Sequence, residues 1–231
     1  MTLKLLDIQD WRNTIEVKHR TSADLLKNVY DEEIEQKDPD DFISTTRFEG
    51  MIIDFIGSSM RLSDIMDTIW HGSSLKRGEI LIKSLEIIPK NIYKYIIIDI
   101  IPCYELKYSL ISLVASDICI VPVRPTNDDL GRTIIMMQEL RKKSGMDEKN
   151  FQKKIYFLLN MIQKQSHKEK FRRDFRNILL KKFPNANFFN KYIENHIHFT
   201  RVGTKSERGD DLSKVRNFFK PFYEEFKERF S

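Results

Sequence analysis

The sequence predicts an α/β fold, a doubly wound and mostly parallel sheet flanked by helices, in a single domain over residues 1–231. Short apolar runs alternate with helical patterns along the whole chain, which is typical of this fold class. Two runs, Tyr95–Asp99 and Ile118–Val123, are rich in β-branched apolar residues, as are strands that a parallel sheet buries on both faces. With 231 residues, 41% of them hydrophobic and 32% charged, the chain is long enough to bury one core.

The first part of the chain contains two strand patterns and three helical patterns before Tyr95. In chain order we predict a strand at Leu3–Leu6, a helix at Thr21–Glu33, a strand at Gly50–Ile56, and helices at 61–70 and 74–88. Thr21 or Ser22 is the predicted N-cap of the first helix, because hydroxyl side chains accept hydrogen bonds from the N–H groups of a first turn.

The second part of the chain continues the same alternation. We predict a helix at 104–115, the strand Ile118–Val123, a helix at 128–143 that ends at Gly145, a strand at Ile155–Asn160, a basic helix at 168–183 and a last helix at 211–229. Strands separated by helices of this size indicate parallel crossover units.

Charge is unevenly divided along the chain. Residues 1–150 contain 20 Lys and Arg against 25 Asp and Glu, whereas residues 151–231 contain 19 against 9. The basic C-terminal part favours a polyanionic partner, most plausibly nucleic acid, although a solvated lysine-rich surface is the alternative.

Several protein classes are excluded by composition. No apolar run approaches the roughly 20 residues that a membrane span needs, and the start of the chain lacks a secretory signal pattern. Cys103 and Cys119 lie in apolar surroundings without metal-ligand spacing, which predicts buried free thiols in a reducing cytoplasm.

The most specific segment begins with the strand that ends in Asp99. A carboxylate at a strand end lies at the carboxyl edge of a parallel sheet, where open α/β folds bind ligands, and it can hold the water shell of a nucleotide-bound Mg²⁺. An isolated Asp after a strand is often a helix cap, so its neighbours matter. Here they are Pro102, a helix, and a Ser-Asp pair that opens a strand ending in V-P-V-R-P.

This series resembles the ParA/MinD family of deviant Walker-type ATPases, whose usual form is Y-D-Y-I-I-I-D-x-P-P-S-L, a helix, then A-D-x-V-L-I-P-V-x-P. The resemblance implies that Asp99 is the Mg²⁺-associated carboxylate, although Ile101 replaces the first residue of the usual Pro-Pro pair. L-L-N-M-I-Q-K at 158–164 is similar to the strand whose terminal Asn, here Asn160, lies against the adenine in relatives. The resemblance covers nearly the whole chain and implies a P-loop NTPase-like fold.

The start of the sequence is similar to the family's L-L-I-D-L-D-P-Q-G-N-A-T segment, but its acidic pair is altered. In relatives a carboxylate here positions the attacking water. The resemblance aligns Asp7 with the first acid and Gln9 with the second, and a shift of one residue brings Asp10 into use. Asp7 and Asp10 are therefore the candidate catalytic residues.

The family's phosphate-binding loop, K-G-G-x-G-K-[ST], lies upstream of that segment in relatives, and this sequence contains no G-x-x-x-x-G-K-[ST]. Two interpretations stay open. Met1 is an internal or misassigned start, which the otherwise intact pattern favours, or the sheet closes in a rearranged order. The nucleotide sequence just upstream of Met1 separates them, because only a truncated product has an open frame that encodes the loop. The resemblance implies ATP and Mg²⁺ as cofactors, and leaves binding and hydrolysis open.

The basic helix is the first candidate for contact with DNA. Lys164–Lys182 contains eight Lys and Arg against two acids. Its predicted apolar face consists of Phe171, Phe175, Ile178, Leu179 and Phe183, and its outward cations are Lys168, Lys170, Arg172, Arg173 and Arg176. Such a stripe neutralises phosphates without sequence preference. Because ParA relatives bind DNA through basic C-terminal residues, the resemblance adds Arg201, Lys205 and Arg208.

Two C-terminal features have competing interpretations. His196 and His198 would share one face of a strand, as the ligands of a metal pair do, but no third ligand is nearby and two surface histidines are the preferred account. The last helix has a Phe-rich side that MinD relatives would insert into a membrane. Its other side mixes acids with cations, so packing onto the sheet is preferred.

The resemblance implies a cytoplasmic, nucleoid-associated partition protein for plasmid or chromosome segregation. Such a protein dimerises over ATP–Mg²⁺, binds DNA non-specifically and acts with a centromere-binding ParB-like partner. Two alternatives stay open, which are a degenerate module that binds DNA or a partner without catalysis, and a MinD-like positioning protein.

Overall fold

The computed structural model describes residues 11–32, 38–48, 50–72, 78–100, 105–162, 168–202, 204 and 206–231. Two compact units divide the chain, Met1–Ser116 and Asp117–Ser231. The predicted strand at Leu3–Leu6 lies outside the described residues.

The N-terminal unit is built mainly from helices. In chain order the structure has a π-helical turn at Arg12–Glu16, α1 at Ser22–Tyr30, a 3-10 turn at Pro39–Asp41, β1 at Ser44–Phe48, β2 at Met51–Phe55, α2 at Leu62–Gly72, α3 at Glu79–Leu85 and α4 at Leu106–Ala115. The four α-helices pack around one apolar cluster that includes Leu26, Met66, Ile80 and Ile111. The predicted helices of this half are therefore confirmed.

Thr21 begins α1 as predicted. Its side chain accepts a hydrogen bond from the backbone N–H of Asp24, and the Asp24 carboxylate accepts one from the backbone N–H of Thr21. This reciprocal pair is a capping box, which satisfies N–H groups that the first turn leaves without helical partners.

The strand predicted at Gly50–Ile56 exists, but its pairing differs from the expectation of a parallel sheet. β2 pairs antiparallel with β1, with Ser44 opposite Phe55 and Phe48 opposite Met51. The hairpin turn between them includes Gly50 at φ 77°, a left-handed conformation that glycine adopts without steric cost. Because the two strands follow each other directly, a short turn joins them and no crossover helix is needed.

The prediction of a strand at Tyr95–Asp99 is wrong. Residues 95–100, all of which are described, form no strand, and Ile97 is 85% exposed. β-branched residues favour extended backbone, but a strand also requires a neighbour for its hydrogen-bond ladder. Among the described residues of this unit the strands are β1 and β2, and these pair with each other.

The C-terminal unit has the predicted strands and helices, together with three further elements. In chain order it contains β3 at Cys119–Val123, α5 at Asn127–Ser144, α6 at Glu148–Lys154, β4 at Ile155–Leu159, α7 at Lys168–Lys182, β5 at Asn187–Phe188, α8 at Ile197–Arg201 and α9 at Asp211–Phe230. Of these, α6, β5 and α8 were not predicted. β4 lies between β3 and β5, and both pairings are parallel. The α/β class and a small parallel sheet are therefore confirmed, whereas a larger doubly wound sheet is not confirmed.

The two sides of β4 contact different helices, because alternate residues of a strand point to opposite faces. Phe157 contacts Phe183, which follows α7, at 5.8 Å between ring centroids and Phe188 of β5 at 5.2 Å. Tyr156 and Leu158 point the other way. Phenylalanines of α9 pack there, namely Phe222, Phe226 and Phe230. Packing of the last helix onto the sheet is confirmed, and its apolar side is thereby occupied.

α5 has a capping signal at each end, of which Gly145 was the predicted one. Thr126 caps its first turn by accepting the backbone N–H of Asp129 at 3.1 Å. Gly145 follows its last residue at φ 69°, the left-handed conformation that commonly ends a helix. The helix predicted to end at Gly145 is therefore confirmed.

Candidate nucleotide site and nucleic-acid interface

Asn160 follows β4 at the carboxyl edge of the parallel sheet. Its backbone N–H donates to the carbonyl oxygen of Val123, the last residue of β3, at 2.9 Å. Its side-chain Oδ1 accepts the backbone N–H of Met161 at 2.9 Å, and Met161 has φ 58°. The chain therefore turns sharply at the edge where open α/β folds bind ligands. Contact of Asn160 with an adenine stays a prediction.

Asp99 is exposed within residues 95–100 of the N-terminal unit, and no strand end presents it. Pro102 lies outside the described residues. Across the described part of the chain, no group of three or more His, Cys, Asp or Glu side chains is arranged to hold a metal ion. We derive no chemical step through a Mg²⁺–nucleotide site. The role of Asp99 as a Mg²⁺ carboxylate stays a prediction.

The candidate catalytic residues Asp7 and Asp10 lie outside the described residues. Their neighbour Trp11 is described, and its indole Nε1–H donates to the backbone carbonyl of Ser58 at 3.2 Å. The chain after the predicted acidic segment is therefore tied to the loop before α2.

A polar network in the N-terminal unit was not predicted. Arg61 donates from Nη2 to both carboxylate oxygens of Asp24, at 2.9 and 3.1 Å, and its Nε lies 3.5 Å from Glu16 Oε1. Ser59 donates its hydroxyl to the same Glu16 oxygen at 2.9 Å. The network joins the π-helical turn, α1 and the start of α2.

Asp24 is the buried centre of this network, with a side chain that is 8% exposed. Burial acts to raise the pKa of Asp24, but hydrogen bonds from Thr21 and Arg61, with the charge of Arg61, outweigh it and lower the pKa below its ordinary value. Asp24 is consequently ionised at neutral pH. Its sequence signal was the T-x-x-D spacing from Thr21, which indicated a cap but not the partner 37 residues away.

An open cavity of about 570 Å³ lies beside the network. Its walls carry both signs of charge, from Lys18, His19, Arg20, Lys27 and Arg61 and from Asp24, Asp40 and Asp41. Arg20 donates to the backbone carbonyl of Asp40 at 2.8 Å and to that of Ile43. With this balance of charge the cavity does not favour one class of ligand.

The basic helix α7 packs through a narrower apolar face than predicted. Phe175, Leu179 and Phe183 are buried, whereas Ile178 is 40% exposed. The prediction that Ile178 belongs to the apolar face is wrong. Around the helix axis, Leu179 and Phe183 lie on one side of Phe175 and Ile178 lies on the other. The side chains of Lys168, Lys170 and Phe171 lie outside the described residues.

Three arginines of α7 differ in what their guanidinium groups contact. Arg172 donates to the backbone carbonyl of Asn190 at 2.6 Å and lies 4.6 Å from the centroid of the Tyr192 ring, so it is held against the protein. Arg173 is exposed. Arg176 is also exposed and lies 5.3 Å from the centroid of the Phe188 ring. Arg173 and Arg176 are the two of these arginines that are exposed.

The expectation of two surface histidines on a strand is wrong. His196 precedes α8 and His198 lies within it, and their rings stack at 4.4 Å between centroids. His198 is 8% exposed, and its Nδ1 bonds the fully buried carboxylate of Asp211. Asp211 also accepts the backbone N–H of Arg208 at 2.8 Å. The pair ties α8 to the start of α9.

The remaining candidates for contact with DNA lie between His198 and Asp211 in the sequence. Arg201, the last residue of α8, is half-buried, and Arg208 is exposed. Lys205 lies outside the described residues. Contact of these side chains with DNA stays a prediction.

Cys119 is a free, half-buried thiol on β3. Burial raises its pKa to about 11, so it is protonated and unreactive at neutral pH. Cys103 lies outside the described residues.

No helix among the described residues combines the length and the apolar character that crossing a bilayer requires.

Comparison with known families gives one match. The family model of the AAA domain, a P-loop NTPase family that includes ParA- and MinD-like proteins, matches residues 3–147. No curated protein and no solved structure matches the chain. The matched stretch, more than half of the 231 residues, contains Asp7, Asp10 and Asp99, whereas Asn160 and the basic helix follow it. P-loop NTPases in general use a nucleotide and Mg²⁺. The chain belongs to the AAA domain family of P-loop NTPases.

Proposed function

We propose that this chain is a ParA-like partition protein that acts in plasmid or chromosome segregation and binds DNA without sequence preference. In this proposal it is a nucleoid-associated homodimer that uses ATP–Mg²⁺ and acts with a centromere-binding ParB-like partner. Membership of a P-loop NTPase family that includes ParA-like proteins supports the class. The observation that carries DNA binding is the exposed pair Arg173 and Arg176 on α7.

The packing of α7 supports a fixed orientation for this pair. Phe175 and Leu179 anchor one side of the helix in the core, which leaves Arg173 on the far side and Arg176 at the margin of the buried face, both of them exposed. A guanidinium is always charged at neutral pH and binds phosphate oxygens in a forked geometry. The excess of 19 cations over 9 acids in residues 151–231 attracts the polyanion over a longer range.

Replacing Arg173 and Arg176 together with glutamine tests this interface. We expect the affinity for a random-sequence DNA duplex to fall about tenfold or more at 0.1 M salt, and the slope of log K against log[salt] to fall by about 2. Fluorescence anisotropy over a salt series measures both quantities.

The matched control removes two exposed lysines that already have carboxylate partners, Lys142 beside Glu139 and Lys227 beside Glu224. It changes the net charge equally and should retain most of the affinity. A control that weakens binding as much as the arginine variant would show that net charge alone matters. Absence of DNA binding by the unaltered chain at low salt would overturn the proposal.

A nucleotide-independent DNA-binding module of the same family is the second candidate. The exposed position of Asp99, away from any described strand, favours it. Titration with Mg-ATP by calorimetry separates the candidates. Affinity that falls in Asp99→Asn supports the partition ATPase, whereas no measurable affinity at millimolar nucleotide supports the module.

A further inference from the structure

The amino edge of the parallel sheet in the C-terminal unit collects lysines from different helices. β3, β4 and β5 are parallel, so their first residues lie at one edge, opposite the edge at Asn160. α7 runs back from β4 to β5 and therefore ends at the amino edge, with Lys181 and Lys182 in its last turn. α6 ends there too, because Lys153 and Lys154 lead directly into β4.

Two hydrogen bonds hold these helix ends together. The backbone N–H of Asn185, just after α7, donates to the side-chain Oε1 of Gln152 at 2.7 Å, and Gln152 is 1% exposed. The side-chain amide of Asn187 donates to the backbone carbonyl of Lys153 at 3.0 Å. The end of α6 is therefore adjacent to the turn that follows Lys181 and Lys182.

The lysines at this edge outnumber the carboxylate of Asp117, which lies just before β3. Lys153, Lys181 and Lys182, called here the amino-edge lysines, are exposed and form no ion pair with any described residue. The nearest acid of α6, Glu148, already pairs with Arg141 at 3.1 Å. Lysines at helix ends offset the helix dipole only weakly, so stability alone gives a small reason for the cluster.

The chemistry of the surface favours a nucleic-acid backbone over a protein. Among residues 141–156 and 178–188, all described, Ile178 at 40% is the one exposed large apolar side chain. Protein interfaces are depleted in lysine and use aromatic anchors. The ammonium group of lysine is a compact, mobile point charge, which suits phosphate contacts that position a duplex without reading its sequence.

We propose that the amino-edge lysines form a further phosphate-binding surface for duplex DNA, separate from Arg173 and Arg176. This inference rests on the proposed DNA-binding function and adds the edge of the fold at which the duplex lies. A nucleotide at the carboxyl edge, near Asn160, would leave this surface accessible, so the two ligands bind at the same time.

The test replaces Lys153, Lys181 and Lys182 together with glutamine in the full chain. We expect the salt slope for a random duplex to fall by about 3 and affinity at 0.1 M salt to fall at least tenfold. The matched control, Lys191, Lys220 and Lys227 replaced with glutamine, removes the same charge elsewhere in the unit and should change the slope by less than about 1. A triple arginine variant at the amino edge keeps the charge and should restore binding.

A second measurement needs no variant. In the unaltered chain, bound duplex should protect Lys153, Lys181 and Lys182 from acylation, detected by mass spectrometry, and leave Lys191 and Lys220 reactive. An unchanged salt slope in the glutamine variant, or acylation unaffected by DNA, overturns this inference while the proposed function stands. If the unaltered chain binds no DNA at low salt, the proposed function fails as well.

Discussion

Replacing Phe157 with alanine is expected to lower the free energy of unfolding of the C-terminal unit by about 3–5 kcal/mol. Phe157 is 1% exposed and lies in β4, the central strand of the sheet. Its ring contacts Phe183 and Phe188, so truncation removes burial from α7 and β5 at once. The cavity that remains adds to the lost transfer free energy, because rigid strands cannot collapse into it.

Urea unfolding followed by circular dichroism measures this effect. Tyr223→Ala is the control, since Tyr223 is also aromatic but 53% exposed, and its loss should cost less than about 1 kcal/mol. Equal losses for Phe157→Ala and Tyr223→Ala would contradict the packing described for β4.

The second large effect is expected from Arg61→Gln, which leaves the Asp24 carboxylate buried without its cation. Removing one partner of a buried ion pair lowers the free energy of unfolding by about 3–5 kcal/mol. Because Arg61 is itself 39% exposed, we expect a smaller loss of about 2–3 kcal/mol. Lys27→Gln removes the cation of the exposed pair with Asp31 and should cost less than about 1 kcal/mol.

The contribution of Asp24 depends on pH in a definite direction. Its pKa in the folded chain is lowered, so the ionised carboxylate stabilises the fold above the unfolded pKa of about 3.9. That stabilisation is lost as the pH falls through the folded pKa. Asp24→Asn should therefore be less stable than the unaltered chain at pH 7, and the difference should shrink below about pH 4. A difference that is constant from pH 7 to pH 3 would show that Asp24 contributes through its shape and not its charge.

Local signals in the sequence were sufficient for most helices and for β3 and β4. Thr21 and Gly145 specify the start of α1 and the end of α5 through the conformation of a few neighbouring residues. β3 and β4 are apolar runs whose pairing follows from the helices α5 and α6 between them, because a helical crossover returns the chain to a parallel neighbour. In these cases the residues whose interactions determine the structure are close to one another in the sequence.

The predictions fail where a structural element depends on a partner that is distant in the sequence or that is polar. Tyr95–Asp99 has the composition of a strand, but composition cannot supply a neighbouring strand. β1 is S-T-T-R-F, a short polar stretch without apolar alternation, so the hairpin partner of β2 gave no signal. The sequence around Arg61 does not indicate its ion pair with Asp24, since any exposed arginine near the start of a helix would have the same sequence context.

The exposed segment at residues 95–100 makes self-association a hazard for this chain. Its isoleucines are β-branched, it contains no proline, and it belongs to no sheet in the structure. Stretches of this kind are templates for stacking between copies when their backbone is accessible. Lys90, Lys94 and Asp99 are exposed charges at and around the run, and they act as gatekeepers because stacking copies in register would bring like charges together. Protection of residues 95–100 from self-association therefore depends on a few charged side chains and not on burial of the isoleucines.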